Sequence, residues 1–408
     1  MQLLTAPPRD GFTAAQIMAL LATEPSVQVD AGLDLLAADG GTQQAATGQP
    51  VVLDDLSDVF RRPGSSVQRN NAATVHGTCT LQLDQALAWG VDLVRPYMLL
   101  TAPRVGTARF NLGCYLATSP DQTLTFGSTY SITGYDPLVF LQVPIGATYT
   151  VAVGANVLAS VQQAITAAGF AWAGVLIADQ TKADAVTVND MVWPLASGTI
   201  TNYLTVINDL LASIGYRGLW ADENGNYRAD RYVKPADRAP EFLLVAGDTF
   251  LARSTDPDWQ SKVIVSPADR RRTRDTYGVP NWWRFIQDNL PYTPVEGGGQ
   301  YTVDKSPVAE LSAETVGRLI RSVQYLQATS QADLVTQGDA IVTSDTTLAE
   351  TIHFPTFPLP IAGHYDVATY TDPYLPDADE LKQRKLQATG WNLPLDGTDM
   401  IWDWEAVA

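Results

Sequence analysis

The chain has 408 residues, of which 46% are hydrophobic, 9% aromatic and 17% charged, and its net charge is −18. At roughly 100–200 residues per domain this length suggests about two to four domains, and the apolar content excludes a disordered chain. Such acidity argues against a surface made for nucleic acid or anionic lipid, since either needs a basic face.

The first residues, Met1-Gln2-Leu3-Leu4, lack the charged lead and long apolar core of a signal peptide. No apolar run approaches the roughly 18 residues of a membrane span, so no membrane insertion is expected. Residues 12–23 read as a short helix, with Phe12, Ile17, Met18, Leu20 and Leu21 at near-helical spacing and Pro25 as the stop. The period then changes to two. Val27, Val29, Leu33 and Leu35 alternate with polar residues as in a strand or a bent pair of strands, and Gly40 to Gly48 reads as a polar loop.

From Val51 to Leu141 the pattern is all-β. Thr78–Leu83, Val91–Leu100, Arg109–Leu116 and Thr129–Tyr135 are candidate strands. Trp89-Gly90, Pro103–Gly106 and Ser119-Pro120-Asp121 separate them as turns. Short strands at this spacing suggest a closed barrel or a sandwich. Residues 147–246 change character. Thr148–Val151 reads as a strand, Val157–Ala168 as a helix ended by Gly169, and Tyr203–Ile214 as a second helix closed by Gly215. A hairpin follows, with the turn Asp222-Glu223-Asn224-Gly225 between Gly218–Ala221 and Asn226–Arg228.

Beyond Pro240, Phe242–Val245 and Lys262–Ser266 return to strand patterning. A long polar excursion then holds Asn281-Trp282-Trp283 and Gly297-Gly298-Gly299. Ser312 to about Gln337 keeps helical phase through Val316, Leu319, Ile320, Val323, Leu326 and Leu334, with Gly338 as the stop. Thr351–Phe354, Tyr365–Tyr370 and Met400–Trp404 read as strands, the last preceded by the turn Leu395-Asp396-Gly397.

The residue types that carry chemistry are few or badly spaced. The histidines are His76, His353 and His364, none in a zinc spacing; the last two flank a Pro-rich segment and read as strand-end residues. Cys79 and Cys114 lie in apolar runs and read as buried hydrophobes, with a disulfide left open. A Cys79–His76 pair would point to opposite faces of a strand. Gly127-Ser128-Thr129 precedes a strand and lacks the nucleophile-elbow context. Asp54-Asp55-Leu56-Ser57-Asp58 and Glu223 could offer a glycosidase pair of carboxylates, but an acidic chain assembles such groups by chance. Asp222-x-Asn224-Gly225-Asn226 opens like a calcium loop and lacks its closing Glu. Asp269-Arg270-Arg271-Arg272-Thr273-Arg274-Asp275 reads as a solvated hairpin tip or a contact with an acidic neighbouring subunit. The sequence therefore assigns no catalytic, cofactor-binding or metal-binding residue, and no enzymatic role.

One stretch carries a resemblance. Arg69, Leu81-Gln82-Leu83-Asp84, Trp89 to Tyr97, Phe110 to Leu116 and Gly134-Tyr135-Asp136 resemble the first barrel of tail-hub (minor tail, baseplate hub) proteins of long-tailed actinobacterial bacteriophages. Tyr203–Tyr216 with Leu219–Gly225 is similar to that family's middle α/β domain. Pro360-Ile361-Ala362-Gly363-His364-Tyr365-Asp366-Val367 is similar to a Pro-x-x-x-Gly-Asp-x-Val strand of its second barrel, with an extra residue pair before Asp366. The resemblance spans about residues 50–370. It implies a β-rich α+β fold with two tube-like β-barrel domains and a small α/β domain between them. The expected division is 1–24, an N-terminal arm with a short helix; 25–146, the first barrel; 147–246, the α/β domain; 247–372, the second barrel with a helical insertion; and 373–408, a C-terminal extension with a final strand. It further implies a homotrimer in the virion at the distal tail tip, made in the host cytoplasm. Its partners would be a distal tail protein ring, a tape-measure protein and tail-tip or fibre proteins, with DNA only in passage through the lumen. The rival readings are a tail-tip cell-wall-degrading glycosidase and a host carbohydrate-binding adhesin.

Overall fold

A computed structural model describes residues 9, 11–22, 27–37, 50–124, 128–169, 176–195, 201–247, 262–265, 270–274, 279–287, 302–305, 312–326, 331–347, 350–377, 379 and 382–407. The Gly40–Gly48 loop and Gly297–Gly299 lie outside these residues, as do Gly127 and the flanks of the Arg270–Arg274 cluster. The fold is mostly β, built on one large, largely antiparallel sheet.

Helix α1 (Ala14–Ala22) begins at a reciprocal cap. The Gln16 side-chain oxygen accepts from Thr13 N at 2.9 Å, while Thr13 Oγ1 accepts from Gln16 N at 3.3 Å. Ile17, Leu20 and Leu21 on one face are buried, as their spacing requires. Eight strands follow: β1 (Gln28–Leu36), β2 (Val52–Asp55), β3 (Phe60–Asn70), β4 (Gly77–Leu83), β5 (Leu93–Ala102), β6 (Gly106–Asn111), β7 (Tyr115–Leu124) and β8 (Ser128–Tyr135). They pair antiparallel in the order β2-β1-β5-β7-β8-β4-β3, with β6 also on β5. In β4 the alternation places Cys79, Leu81 and Leu83 inward. β3 is less legible. Arg-Arg-Pro-Gly reads as a turn, but the strand passes through it by a register shift between Arg61 and Ser66, with Gly64 at φ 79°.

A short 3₁₀ turn (Pro137–Gln142) leads into the α/β part. It contains β9 (Tyr149–Val151), α2 (Val157–Ala167), β10 (Leu176–Ala178), β11 (Met191–Trp193), α3 (Tyr203–Ser213), β12 (Trp220–Ala221) and β13 (Tyr227–Ala229). Asn156 and Asn202 cap the two helices, accepting from Ala159 N and Thr205 N at 2.9 Å. Gly169 and Gly215, both left-handed, follow their ends. This part has its own core, into which Leu36, Leu93, Cys114 and Leu138 reach from the first lobe.

The C-terminal part comprises β14 (Phe242–Ala246), β15 (Lys262–Val265), β16 (Arg271–Arg274), β17 (Trp282–Gln287), β18 (Thr302–Lys305), α4 (Ala313–Val316), β19 (Arg321–Leu326), α5 (Gln331–Thr347), β20 (Glu350–Thr356), β21 (Val367–Thr371), β22 (Gln383–Pro394) and β23 (Met400–Ala406). Strand pairing runs in a cycle, β14-β15-β20-β23-β22-β21 and back to β14. β22 also joins the two lobes. Gln383–Gln387 pairs with β21, and Gly390–Pro394 pairs with β3. The two lobes accordingly share one core, from Ile17 and Leu81 to Trp391, Trp402 and Trp404. Trp402 stacks on Trp404 at 4.9 Å and Phe354 on Trp404 at 5.9 Å, each such pair contributing about 0.5–1.5 kcal/mol beyond burial.

Two readings of the C-terminal half change. The segment from Ser312 to Gln337 is not one helix: Arg321–Leu326 is a strand, parallel to β17, and the helix runs Gln331–Thr347, past Gly338. Val316 lies in the short helix α4, but Leu319, Ile320 and Val323 fit a helical phase by coincidence, while Ser322, Gln324 and Leu326 alternate with exposed residues as strand partners do. The polar excursion contains strand β17, whose Trp283 and Phe285 are fully buried against Leu334 of α5. No helix among the described residues is long and apolar enough to cross a membrane.

Gly390 lies at the bulge where β22 turns from one lobe toward the other; a Cβ there would meet the Arg69 carbonyl oxygen at 2.8 Å. Gly390→Val should lower unfolding stability by about 1–3 kcal/mol in urea titration. Unchanged stability would mean that the β3–β22 seam is slack.

Candidate functional site

In β3 the inward alternation that buries Val67 also turns Arg69 into the interior. Two glycines make room for its guanidinium. A Cβ at Gly77 would lie 2.0 Å from Nη1, and one at Gly113 would lie 2.7 Å from Nη2. Nη1 donates to Asp136 Oδ2 at 3.3 Å, and the cation sits 5.8 Å from the Tyr115 ring. Asp136 also accepts from Gly77 N at 2.6 Å and from Leu138 N at 3.1 Å, the second bond capping the 3₁₀ turn. Burial pushes its carboxyl up to about 6, against the pull of Arg69 and the two amides.

Around this pair the three parts of the chain meet. His76 from the first lobe and His364 from the last lie 5.3 Å apart, ring to ring, and His364 lies 4.7 Å from Trp220 of the α/β part. His364 Nδ1 is 3.2 Å from Asn71 Oδ1. Burial, then the charge of Arg69, depresses His76 to about 4, and the same causes hold His364 well below its usual range. Both are neutral at pH 7. His364 and Tyr365 are the residue pair that interrupts the Gly-Asp pattern. Tyr365 takes φ 55°, an unusual value for a bulky residue, and its carbonyl accepts from Arg238 while its ring lies 4.6 Å from the Arg217 guanidinium. This segment therefore docks the last lobe onto the α/β part. A small cavity of about 40 Å³ lies between Arg69, Trp220, Glu223, His364 and Trp391. An open groove of about 460 Å³ lies on the other side, between the 70–78 turn and β22–β23.

A second polar network ties the first lobe to the hairpin turn. Asp34 on β1 accepts from Arg95 Nε at 2.9 Å and Nη2 at 2.7 Å, and also from Arg109. Arg109 Nε donates to Asn111, and Asn111 Nδ2 donates to Asn224 Oδ1 at 3.0 Å. Asn224 is placed by the turn itself, where Asp222 Oδ1 accepts from Asn224 N and Asn226 N at 2.9 Å. Arg228 Nε donates to Asp222 Oδ2 at 2.9 Å, so a cationic side chain of the same hairpin holds this carboxylate. Buried charges arranged this way fix geometry, because each costs several kcal/mol if left without its partner.

The residues weighed from sequence are dispersed. Cys79 lies in the shared core and Cys114 in the α/β core; both are free thiols, and burial raises both, Cys114 to about 12. His353 pairs with Asp403 on the adjacent strand. Glu223 is half-buried at the junction; desolvation there pushes its carboxyl up, and Asp222 adds to this. Asp54, Asp55 and Asp58 are exposed on and beside the edge strand β2. Within the basic cluster, Arg270 pairs with Asp372, and Arg272 with Glu350 and Asp379, all of this chain, while Arg271 is exposed. Arg69 and Asp136 stood in the sequence as family-like residues without a role, and the Asp34–Arg95–Arg109 network was not anticipated. The nearest signal was charged residues at strand positions that alternation turns inward.

No family model and no curated protein matches the sequence. Among solved structures, the chain is similar to the tail protein of Neisseria meningitidis MC58 at 9% identity and TM-score 0.58, covering 92% of this chain and 96% of that one. It is similar also to the 43 kDa tail protein of prophage MuSo2 from Shewanella oneidensis, at 10% identity and TM-score 0.55, covering 93% and 98%. These likenesses show a shared fold along nearly the whole chain.

Arg69→Met leaves Asp136 buried without its cation and should cost about 3–5 kcal/mol in denaturant unfolding, with part recovered in Arg69→Met/Asp136→Asn. Glu405 tests a different term. Burial raises its carboxyl to about 7, and its Oε1 has no hydrogen-bond partner. A raised carboxyl pKa stabilises the fold below the unfolded value near 4.5, and that contribution is lost as pH rises through 7. Glu405→Gln should therefore raise stability by about 2–3 kcal/mol at pH 8 and by little at pH 4. An equal gain at both pH values would contradict this.

Proposed function

We propose that this chain is a structural tail-hub protein of a long-tailed bacteriophage, at the distal end of the tail. The observation that carries the reading is a fold matched end to end with two tail proteins, in length as well as in order of parts. The strand cycle β14-β15-β20-β23-β22-β21 supports a tube-like barrel in the C-terminal lobe; a second barrel in the N-terminal lobe rests on the family resemblance, its described strands running as an open order from β2 to β3. Three copies would place six such barrels around one axis, joining a hexameric tail tube to a threefold tip. The neighbours would be a distal tail protein ring, the tape-measure protein and tip or fibre proteins. The Trp89–Asp136 resemblance points to actinobacterial hosts.

The charge suits this role. A net −18 on a ring protein gives a lumen through which DNA passes without sticking during ejection. The junction around Arg69 fits a scaffold: its histidines are neutral and its ion pair is enclosed. Labelling intact virions with antibody against the protein, read by electron microscopy, should mark the distal tail end alone. Label along the tube or on the capsid would overturn the reading.

A further inference from the structure

The large sheet ends in two short strands of opposite charge. Among the described residues, β2 (Val52-Leu53-Asp54-Asp55) pairs only with β1, and β16 (Arg271-Arg272-Thr273-Arg274) pairs only with β20. Leu53 is 62% exposed, and all four β2 side chains are exposed. Among the described residues neither Asp54 nor Asp55 has an ion pair with a cation. Arg271 likewise is exposed with no acid on it, while Arg272 is held by Glu350 and Asp379. An edge strand with an exposed leucine is a ready template for another chain.

We infer that copies of this chain join head to tail, the β2 edge of one against the β16 edge of the next. Charge selects this arrangement over its alternatives. Two β2 edges would set aspartate against aspartate, and two β16 edges would set arginine against arginine, both unfavourable across strands. β2 against β16 pairs opposite charges and covers Leu53. A contact between two different edges is heterologous, so it propagates until the rotation closes a ring. The inference rests on the ring reading above and names the surfaces that make it.

The experiment uses the full chain with one cysteine added at each edge, Leu53→Cys or Thr273→Cys, and a short bismaleimide. Wild-type chain is the control, since Cys79 and Cys114 are buried. Mixing the two single variants should give a cross-linked dimer that neither gives alone, and the double variant should give a ladder ending at the closed ring. Cross-linking of either single variant with itself to the same extent would overturn the inference, as would failure to cross-link in the mixture. Light scattering separates the two readings. An intact oligomer without cross-links removes the edge contact and leaves the ring, whereas a monomer removes the edge contact while virion labelling still decides the hub. A charge exchange supplies the second arm. Asp54→Lys/Asp55→Lys should dissociate the oligomer, and adding Arg271→Glu in the same chain should restore it. Equal dissociation of both would contradict the pairing.

Discussion

A single strand, Gln383–Pro394, is hydrogen-bonded to both β lobes. Its first half completes the C-terminal strand cycle and its second half covers the edge of β3. Backbone N–H and C=O groups in a core need partners, and here one segment supplies them to two lobes at once. Removing it would open β21, β23 and β3 together. The shared hydrophobic core follows from this pairing, with Val67 and Leu81 of one lobe in the same cluster as Leu393 and Trp402 of the other. The lobes are thus one body, although the sequence between them leaves to build the α/β part and returns.

The polar junction sits where that body meets the α/β part. Arg69 lies on β3, one strand from the seam, and Gly77 and Gly113 are small so that its guanidinium fits. Asp136, its partner, also starts the turn that leads out of the first lobe. His364 and Tyr365 close the junction from the last lobe. Such an arrangement gives up some stability to desolvation and gains a fixed angle between parts. In the ring proposed above that angle would matter, since errors in one protomer would add around the ring.

Much of the first lobe was legible because its strands alternate and the turns at Trp89-Gly90 and Pro103–Gly106 carry Gly or Pro; Ser119-Pro120-Asp121, read as a turn, instead lies in β7 at a register shift, and the Arg109–Leu116 run breaks between β6 and β7. Both α/β helices were legible, ended by Gly169 and Gly215, whereas their Asn156 and Asn202 caps were not read. What failed has a common physical form. β3 and β22 each contain a bulge, at Arg61–Ser66 and Ala388–Gly390, and a bulge flips the parity by which a strand is read. Arg321–Leu326 failed because apolar residues three and four apart also occur in a strand beside a helix. The buried charges were invisible singly: Asp34, Arg95, Arg109 and Asn111 come from three strands, and only the fold brings them together.

The central claim is that both β lobes take equivalent places around one axis. Single-particle electron microscopy of the purified full-length protein tests it most directly. The account predicts a threefold ring with six similar β-rich densities lining an open channel. A ring in which only one lobe per chain reaches the channel, or an assembly without threefold symmetry, would contradict it.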